Sequence, residues 1–97
     1  MTVEKSAYHK LLTTELHETY VKKNHDYGDS FSRIFQSLGI LSAVTRIGDK
    51  YHRLCNLATK PAEERLVKNE SIIDTLMDMA NYCLMTVVEL KEEEQNE

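Results

Sequence analysis

The sequence has no tryptophan, one proline and three glycines in 97 residues. Proline and glycine are the residues that most often interrupt helices and strands, so their scarcity favours long unbroken segments. No stretch has the character of a β-strand, and apolar residues recur instead at helical spacing. We therefore predict an all-α chain that forms one domain over residues 1–97.

An excess of positive charge and long apolar runs are also missing. There are 12 Lys and Arg against 16 Asp and Glu, which gives a net charge of −4. This balance lacks the basic surface that duplex nucleic acid requires. No run approaches the roughly 18 apolar residues of a membrane helix, and no segment resembles a signal peptide. We expect no duplex nucleic acid partner, no membrane and a cytoplasmic location.

Cysteine is scarce as well. Cys55 and Cys83 each lie in an apolar helical stripe, which favours free, buried thiols. A zinc site is not indicated, because His25 has no second His or Cys at zinc-ligand spacing. Glycine-rich phosphate loops and nucleophile elbows are absent too. These absences point away from covalent catalysis and towards chemistry by carboxylates and a metal ion.

The most periodic stretch of the sequence runs from Glu70 to Leu90. Its apolar residues form one arc about 140° wide on a helix: Ile73, Leu76, Met79, Ala80, Cys83, Leu84 and Val87. A separate stripe contains Glu70, Asp74, Asp78 and Asn81, with no Lys or Arg among them. Because Mg²⁺ prefers oxygen ligands, this stripe is a candidate metal-binding face. The alternative is an ordinary solvated helix face.

A first helix is predicted from about Val3 to Asn24. Its less polar side consists of Tyr8, Leu11, Leu12, Leu16 and Thr19. Glu15 projects among these residues, and Glu18 could reach the same point in space. Two inward-facing acids are costly unless they are paired or bind a metal. The alternative is an amphipathic helix in which Glu18 pairs with Lys22.

The periodicity breaks over residues 25–31, where Gly28 is a turn signal. This loop could lie over a nucleotide, with Tyr27 or Phe31 stacking on the base, or it could simply end the first helix. Residues 32–39 are ambiguous and include a possible helical turn.

A second main helix is predicted over Ile40–Ala58. Arg46, Lys50 and Arg53 lie on its polar side, where they either form ion pairs along the helix or contact phosphate oxygens.

Residues 59–69 form a charged connector with a short helix over 62–67 and Asn69 as the cap of the third helix. The tail over 91–97 is expected to be frayed and solvated. Three main helices cannot easily cover the broad apolar arc of the third one. We therefore expect a helical bundle completed by a second copy, as a homodimer or homotetramer.

Three segments together resemble a known family. They are K-N-H-D-Y-G-D-S-F (Lys23–Phe31), R-I-G-D-K-Y-H-R (Arg46–Arg53) and E-S-I-I-D-T-L-M-D-M-A-N-Y (Glu70–Tyr82). The chain resembles the small, often phage-encoded nucleotide-modification-associated domain type 1 family. More distantly, it is similar to the MazG-like and dimeric dUTPase group of all-α nucleoside triphosphate pyrophosphatases. Those enzymes bind Mg²⁺ through an ExxE pair and an ExxD pair, release a monophosphate and pyrophosphate, and assemble as oligomers.

This resemblance implies roles for particular residues. Glu15 and Glu18 have the ExxE spacing, and Asp74 matches the aspartate of the second pair. Ser71 stands where the acid of that pair is expected, so Glu70 would have to substitute for it. The implied catalytic residues are Glu15, Glu18 and Asp74, and the implied ligands for Mg²⁺, or alternatively Mn²⁺, are Glu15, Glu18, Glu70, Asp74 and Asp78. The implied substrate contacts are Lys23, Asp26, Tyr27, Arg46, Lys50, Arg53 and Asn81.

Two functions follow as hypotheses. The first is Mg²⁺-dependent nucleotide binding with hydrolysis of a nucleoside phosphate to its monophosphate and pyrophosphate. The second is a non-catalytic phage protein that binds or sequesters a nucleotide.

Overall fold

Helices are the main elements of the fold in the part of the chain that the structure describes. A computed structural model describes residues 4–66 and 69–96, with the backbone alone for residues 62 and 69–71. The helices are α1 (Lys5–Tyr27), α2 (Ser30–Leu38), α3 (Ile40–Thr59) and α4 (Asn69–Gln95), with a 3₁₀ turn at Ala62–Glu64. No strand occurs in this part of the chain. The predicted all-α fold class is therefore confirmed.

Helix α1 ends later than predicted, and the turn after it is short. Gly28 has φ 66° and Asp29 has φ 57°, both in the left-handed region. Their backbone N–H groups donate to the Asn24 carbonyl oxygen at 3.0 and 3.3 Å. These bonds satisfy a carbonyl at the helix end and close the helix. The break predicted over residues 25–31 is thus confined to Gly28 and Asp29, while Val3, the predicted start, lies outside the described residues.

The ambiguous segment over residues 32–39 belongs to a regular helix. Helix α2 has nine residues and buries Ser32 and Phe35. Gly39 follows with φ 77° and ψ −167°, a backbone conformation that is essentially restricted to glycine. This single residue separates α2 from α3 without a loop. Helix α3 confirms the second predicted helix to within one residue.

Helix α4 is longer than the predicted third helix. It continues to Gln95, so the expectation of a frayed tail is wrong, although residues 91–96 are solvent-exposed as expected. The predicted short helix over 62–67 is only a 3₁₀ turn over Ala62–Glu64, and Val67 and Lys68 lie outside the described residues. The side chain of Asn69, the predicted cap, also lies outside them.

The chain forms two compact units, divided between Ser30 and Phe31. The first consists of α1, in which Leu16 is buried and Tyr8, Leu11 and Leu12 are exposed. The second contains α2, α3 and α4. The single domain over residues 1–97 stays a prediction. None of the helices described over 4–66 and 69–96 combines the length and the apolar character needed to cross a membrane.

Helices α3 and α4 pack along each other in opposite directions. Arg46 contacts Tyr82, and four residues later on α3, Lys50 contacts Asp78, four residues earlier on α4. On each helix, residues spaced by steps of three and four line the contact, and we call these rows the inner seams. On α3 the inner seam is Ala43, Ile47, Lys50, Leu54 and Leu57, and on α4 it is Ile72, Thr75, Met79, Tyr82, Thr86 and Glu89, all buried or half-buried.

The apolar arc predicted for the third helix is not the side of α4 that the chain covers. Among the described side chains of α4, Thr75, Thr86 and Glu89 are buried, whereas Ile73, Leu76, Leu84 and Val87 are exposed. Helix α3 covers only a narrow strip of α4, and this strip is offset from the arc by one residue. Both cysteines are free, but Cys83 is exposed and Cys55 is half-buried, so the prediction of two buried thiols is wrong within the chain.

Candidate functional site

Several charged residues of α3 and α4 lie on the same side of the helix pair. Adjacent residues on a helix are about 100° apart, so positions just before an inner seam lie to one side of it. Because α3 and α4 are antiparallel, this step turns in opposite senses on the two helices and leads to the same side of the pair. We call it the charged side, and it carries Arg46, Asp49, Arg53, Asp74, Asp78 and Asn81.

An ion pair joins the two helices at this side. The Lys50 Nζ atom lies 3.2 Å from the Asp78 Oδ2 atom, and both side chains are partly buried. The acidic stripe predicted on the third helix therefore contains no Lys or Arg of its own, but α3 supplies a cation to it. The structure pairs Lys50 across the helices rather than along α3.

Tyr82 is the centre of an aromatic and cationic cluster. Its ring lies 5.9 Å from that of Phe31, with 29° between their planes. The Arg46 guanidinium lies 5.9 Å from the centroid of the Tyr82 ring. Its Nη1 atom donates a long hydrogen bond of 3.5 Å to the Tyr82 hydroxyl. Attraction between a cation and a ring face favours this arrangement. Phe31 also stacks on Phe35, the most buried aromatic residue of α2.

Tyr82 was missed as a site residue from the sequence. Its signal was its position four residues after Asp78, one turn along the same helix. A sequence pattern does not reveal that Arg46 contacts the Tyr82 ring from α3.

The remaining predicted site residues lie on α1. Glu15 and Glu18 are solvent-exposed, so the expected inward-facing pair of acids does not form within the chain. Asp26 and Tyr27 belong to the last turn of α1 rather than to a loop, and Asp26 lies 3.2 Å from the His25 imidazole. Lys23 lies one turn before Tyr27 on the same helix. All five residues belong to the first compact unit, while the charged side belongs to the second.

The predicted metal ligands do not gather at one point among the described residues. Among the residues that the structure describes, no three His, Cys, Asp or Glu side chains lie close enough together to hold a metal ion. The side chain of Glu70 lies outside the described residues. Asp74 is exposed and Asp78 pairs with Lys50. The described residues of one chain therefore do not complete the predicted metal site.

Fold and site together define an all-α protein whose α3–α4 pair has one charged side with an aromatic cluster. The chain belongs to the family described as nucleotide modification associated domain 1, which matches residues 23–90. This match includes every residue of the charged side and of the Tyr82 cluster. No curated protein and no solved structure is significantly similar to the chain.

Proposed function

We propose that the protein binds a nucleotide on the charged side of the α3–α4 pair. The observation that carries the proposal is the placement of Arg46 against Tyr82, one turn from Lys50. A nucleotide needs cations for its phosphates and a flat surface for its base, and this arrangement offers both. Membership of a family associated with nucleotide modification supports the same ligand class.

The proposed contacts divide by chemistry. Arg46, Lys50 and Arg53 contact the phosphates, because a guanidinium or ammonium group donates charge-assisted hydrogen bonds to phosphate oxygens. Asn81 contacts the base or the sugar through its amide, which both donates and accepts. Tyr82 and Phe31 provide the ring surface beside them.

Hydrolysis and metal dependence are further parts of the proposal. A MazG-like activity would release the monophosphate and pyrophosphate from a nucleoside triphosphate in the presence of Mg²⁺ or Mn²⁺. Since the described acids of one chain do not complete a metal site, nucleotide binding is the primary claim. The Lys50–Asp78 pair favours a second candidate, a protein that retains the nucleotide without turnover, because it occupies a carboxylate predicted to bind the metal.

Titration calorimetry with nucleoside mono-, di- and triphosphates, with and without Mg²⁺ or Mn²⁺, tests the binding claim. Arg46→Ala is the informative variant, since Arg46 is exposed and its loss should leave the helices intact. We expect at least a roughly tenfold loss of affinity, which corresponds to about 1.4 kcal/mol. Lys91→Ala is the matched control, because it removes a cation from the far end of α4 and should bind like the wild type.

Product analysis by mass spectrometry separates the two candidates. Many product molecules per protein would identify a hydrolase, and stoichiometric retention without product would identify a sequestering protein. Equal affinities of Arg46→Ala and the wild type, or no binding of any nucleotide under these conditions, would refute the proposal.

A further inference from the structure

The side of the α3–α4 pair opposite the charged side is apolar and uncovered. It consists of the positions one residue after each inner seam, together with Leu41 one turn before Val44, and we call it the apolar side. On α3 it contains Leu41, Val44, Gly48, Tyr51, Cys55 and Ala58, and on α4 it contains Ile73, Leu76, Ala80, Cys83, Val87 and Leu90. None of these residues is charged. Each row repeats in steps of three and four, the spacing that packs one helix against another.

The two rows form one continuous surface. A step of one residue turns by about 100°, and it turns in opposite senses on antiparallel helices. Both rows therefore face the same side of the pair, in the same way that the charged residues share the other side. Most of their large residues are strongly exposed in the chain, including Leu41, Tyr51 and Val87. A contiguous apolar patch of this kind marks a binding surface.

Polar groups on the apolar side are compatible with burial. The Tyr51 side chain hydrogen-bonds that of Cys55, one turn later, and this bond raises the pKa of the Tyr51 hydroxyl. Gly48 lies at the middle of the α3 row with open space around its Cα, so a second helix could approach closely there.

We propose that the apolar side is the interface with a second copy of this chain, and that two α3–α4 pairs pack face to face as a four-helix arrangement. A twofold axis places the same surface on both partners, so two rows of equal length cover each other completely. A single partner helix would fill only the groove between α3 and α4 and would leave the outer residues exposed.

The size of the apolar side agrees with this occupant. Helix α3 has 20 residues, which span about 30 Å. Two adjacent helices are about 20 Å wide, so one face covers roughly 600 Å² and a dimer buries roughly 1,200 Å² in total. This area is at the lower limit of specific, stable interfaces. An anionic lipid surface is a poorer partner, since the chain carries a net charge of −4.

Two adjacent valines provide a matched pair of test variants. Val87 is on the apolar side and is 50% exposed, whereas Val88 is just before Glu89 of the inner seam, on the charged side, and is 48% exposed. Val87→Glu and Val88→Glu make the same chemical change at equal exposure. In the proposed dimer, Val87→Glu buries a carboxylate from each copy. We expect a dissociation constant at least about 100-fold higher for Val87→Glu, with Val88→Glu close to the wild type.

Sedimentation equilibrium and light scattering on the full chain measure the result, with circular dichroism to verify that each variant remains helical. The wild type and Val88→Glu should have twice the monomer mass of 11.2 kDa, and Val87→Glu should have the monomer mass. Leu76 lies on the same α4 row of the apolar side as Val87, so Leu76→Glu should behave like Val87→Glu.

A monomeric wild type at micromolar concentrations would overturn the proposal. A helical Val87→Glu variant that remains fully dimeric would overturn it as well, and so would equal dissociation of the Val87 and Val88 variants. These outcomes are independent of nucleotide binding, because the two sides of the pair share no residues.

Discussion

The ion pair between Lys50 and Asp78 permits a quantitative test of the α3–α4 packing. The two charged atoms are 3.2 Å apart, and the side chains are 24% and 37% exposed. Fully exposed pairs contribute about 0.2–1 kcal/mol, whereas removing one partner of a fully buried pair costs about 3–5 kcal/mol. This pair lies between those limits and much nearer the exposed one. We expect a coupling free energy of about 1 kcal/mol.

A double-mutant cycle measures this coupling. Lys50→Ala, Asp78→Ala and the double variant are compared with the wild type by urea unfolding, monitored by circular dichroism. The cycle is needed because Asp78 has a further interaction, so its single substitution loses more than the pair. For a domain of this size, about 1 kcal/mol corresponds to a change of roughly 4–8 °C in the melting temperature.

The chain offers a matched control. Lys91 and Glu94 form a pair at 3.6 Å within one helix, and both side chains are about two-thirds exposed. Their coupling should not exceed about 0.5 kcal/mol. If the Lys50–Asp78 coupling is no larger than that of this control pair, the reasoning from partial burial and from the α3–α4 contact is wrong.

Three further predictions concern single residues. Phe35→Ala should lower the free energy of unfolding by about 3 kcal/mol, because Phe35 is 2% exposed and its loss leaves a cavity; a loss below about 1 kcal/mol in urea unfolding would contradict its place in the core. Glu89→Leu should raise the free energy of unfolding by about 1 kcal/mol, and with it the melting temperature, because Glu89 is 7% exposed in the inner seam. A lower melting temperature would contradict this prediction and show that the carboxylate is stabilised in the fold. Gly39→Asn should lower the free energy of unfolding by about 1–3 kcal/mol, because the Gly39 ψ of −167° at positive φ suits only glycine. Gly28→Asn should lower it less, because Gly28 has the left-handed conformation of a helix end, which Asn also adopts. Equal losses would contradict these backbone assignments.

Much of the secondary structure could be predicted from the sequence because helices impose a local period. The second predicted helix agrees with α3 almost residue for residue, and the predicted start of the third, Glu70, is one residue from the start of α4. Helix ends were less predictable. Gly28 ends α1 by backbone hydrogen bonds to Asn24, and the polar residues just before it remain helical. Helix α2 was ambiguous because nine residues contain too few turns for a clear period.

The candidate site was predictable in part. The grouping of Arg46 and Arg53 on one helix, and of Asp74 and Asp78 on another, follows from spacing alone. That these groups share one side of a helix pair, and that Lys50 contacts Asp78, depends on how α3 is rotated against α4. The role of Tyr82 depends on the same rotation, since Arg46 reaches it from the other helix. The convergence of Glu15 with the acids of α4 stays a prediction.

The amino-acid sequence by itself determined where helices form and that α4 would have an apolar arc and an acidic stripe, because both are properties of a single helix with a fixed angle between residues. Only the tertiary structure decided which strip of α4 the chain covers. A shift of one residue in the contact rotates a helix by about 100°, and local periodicity does not specify that rotation. The contact with α3 buries Thr75 and Glu89 and leaves Val87 exposed, so the apolar arc faces outward within one chain.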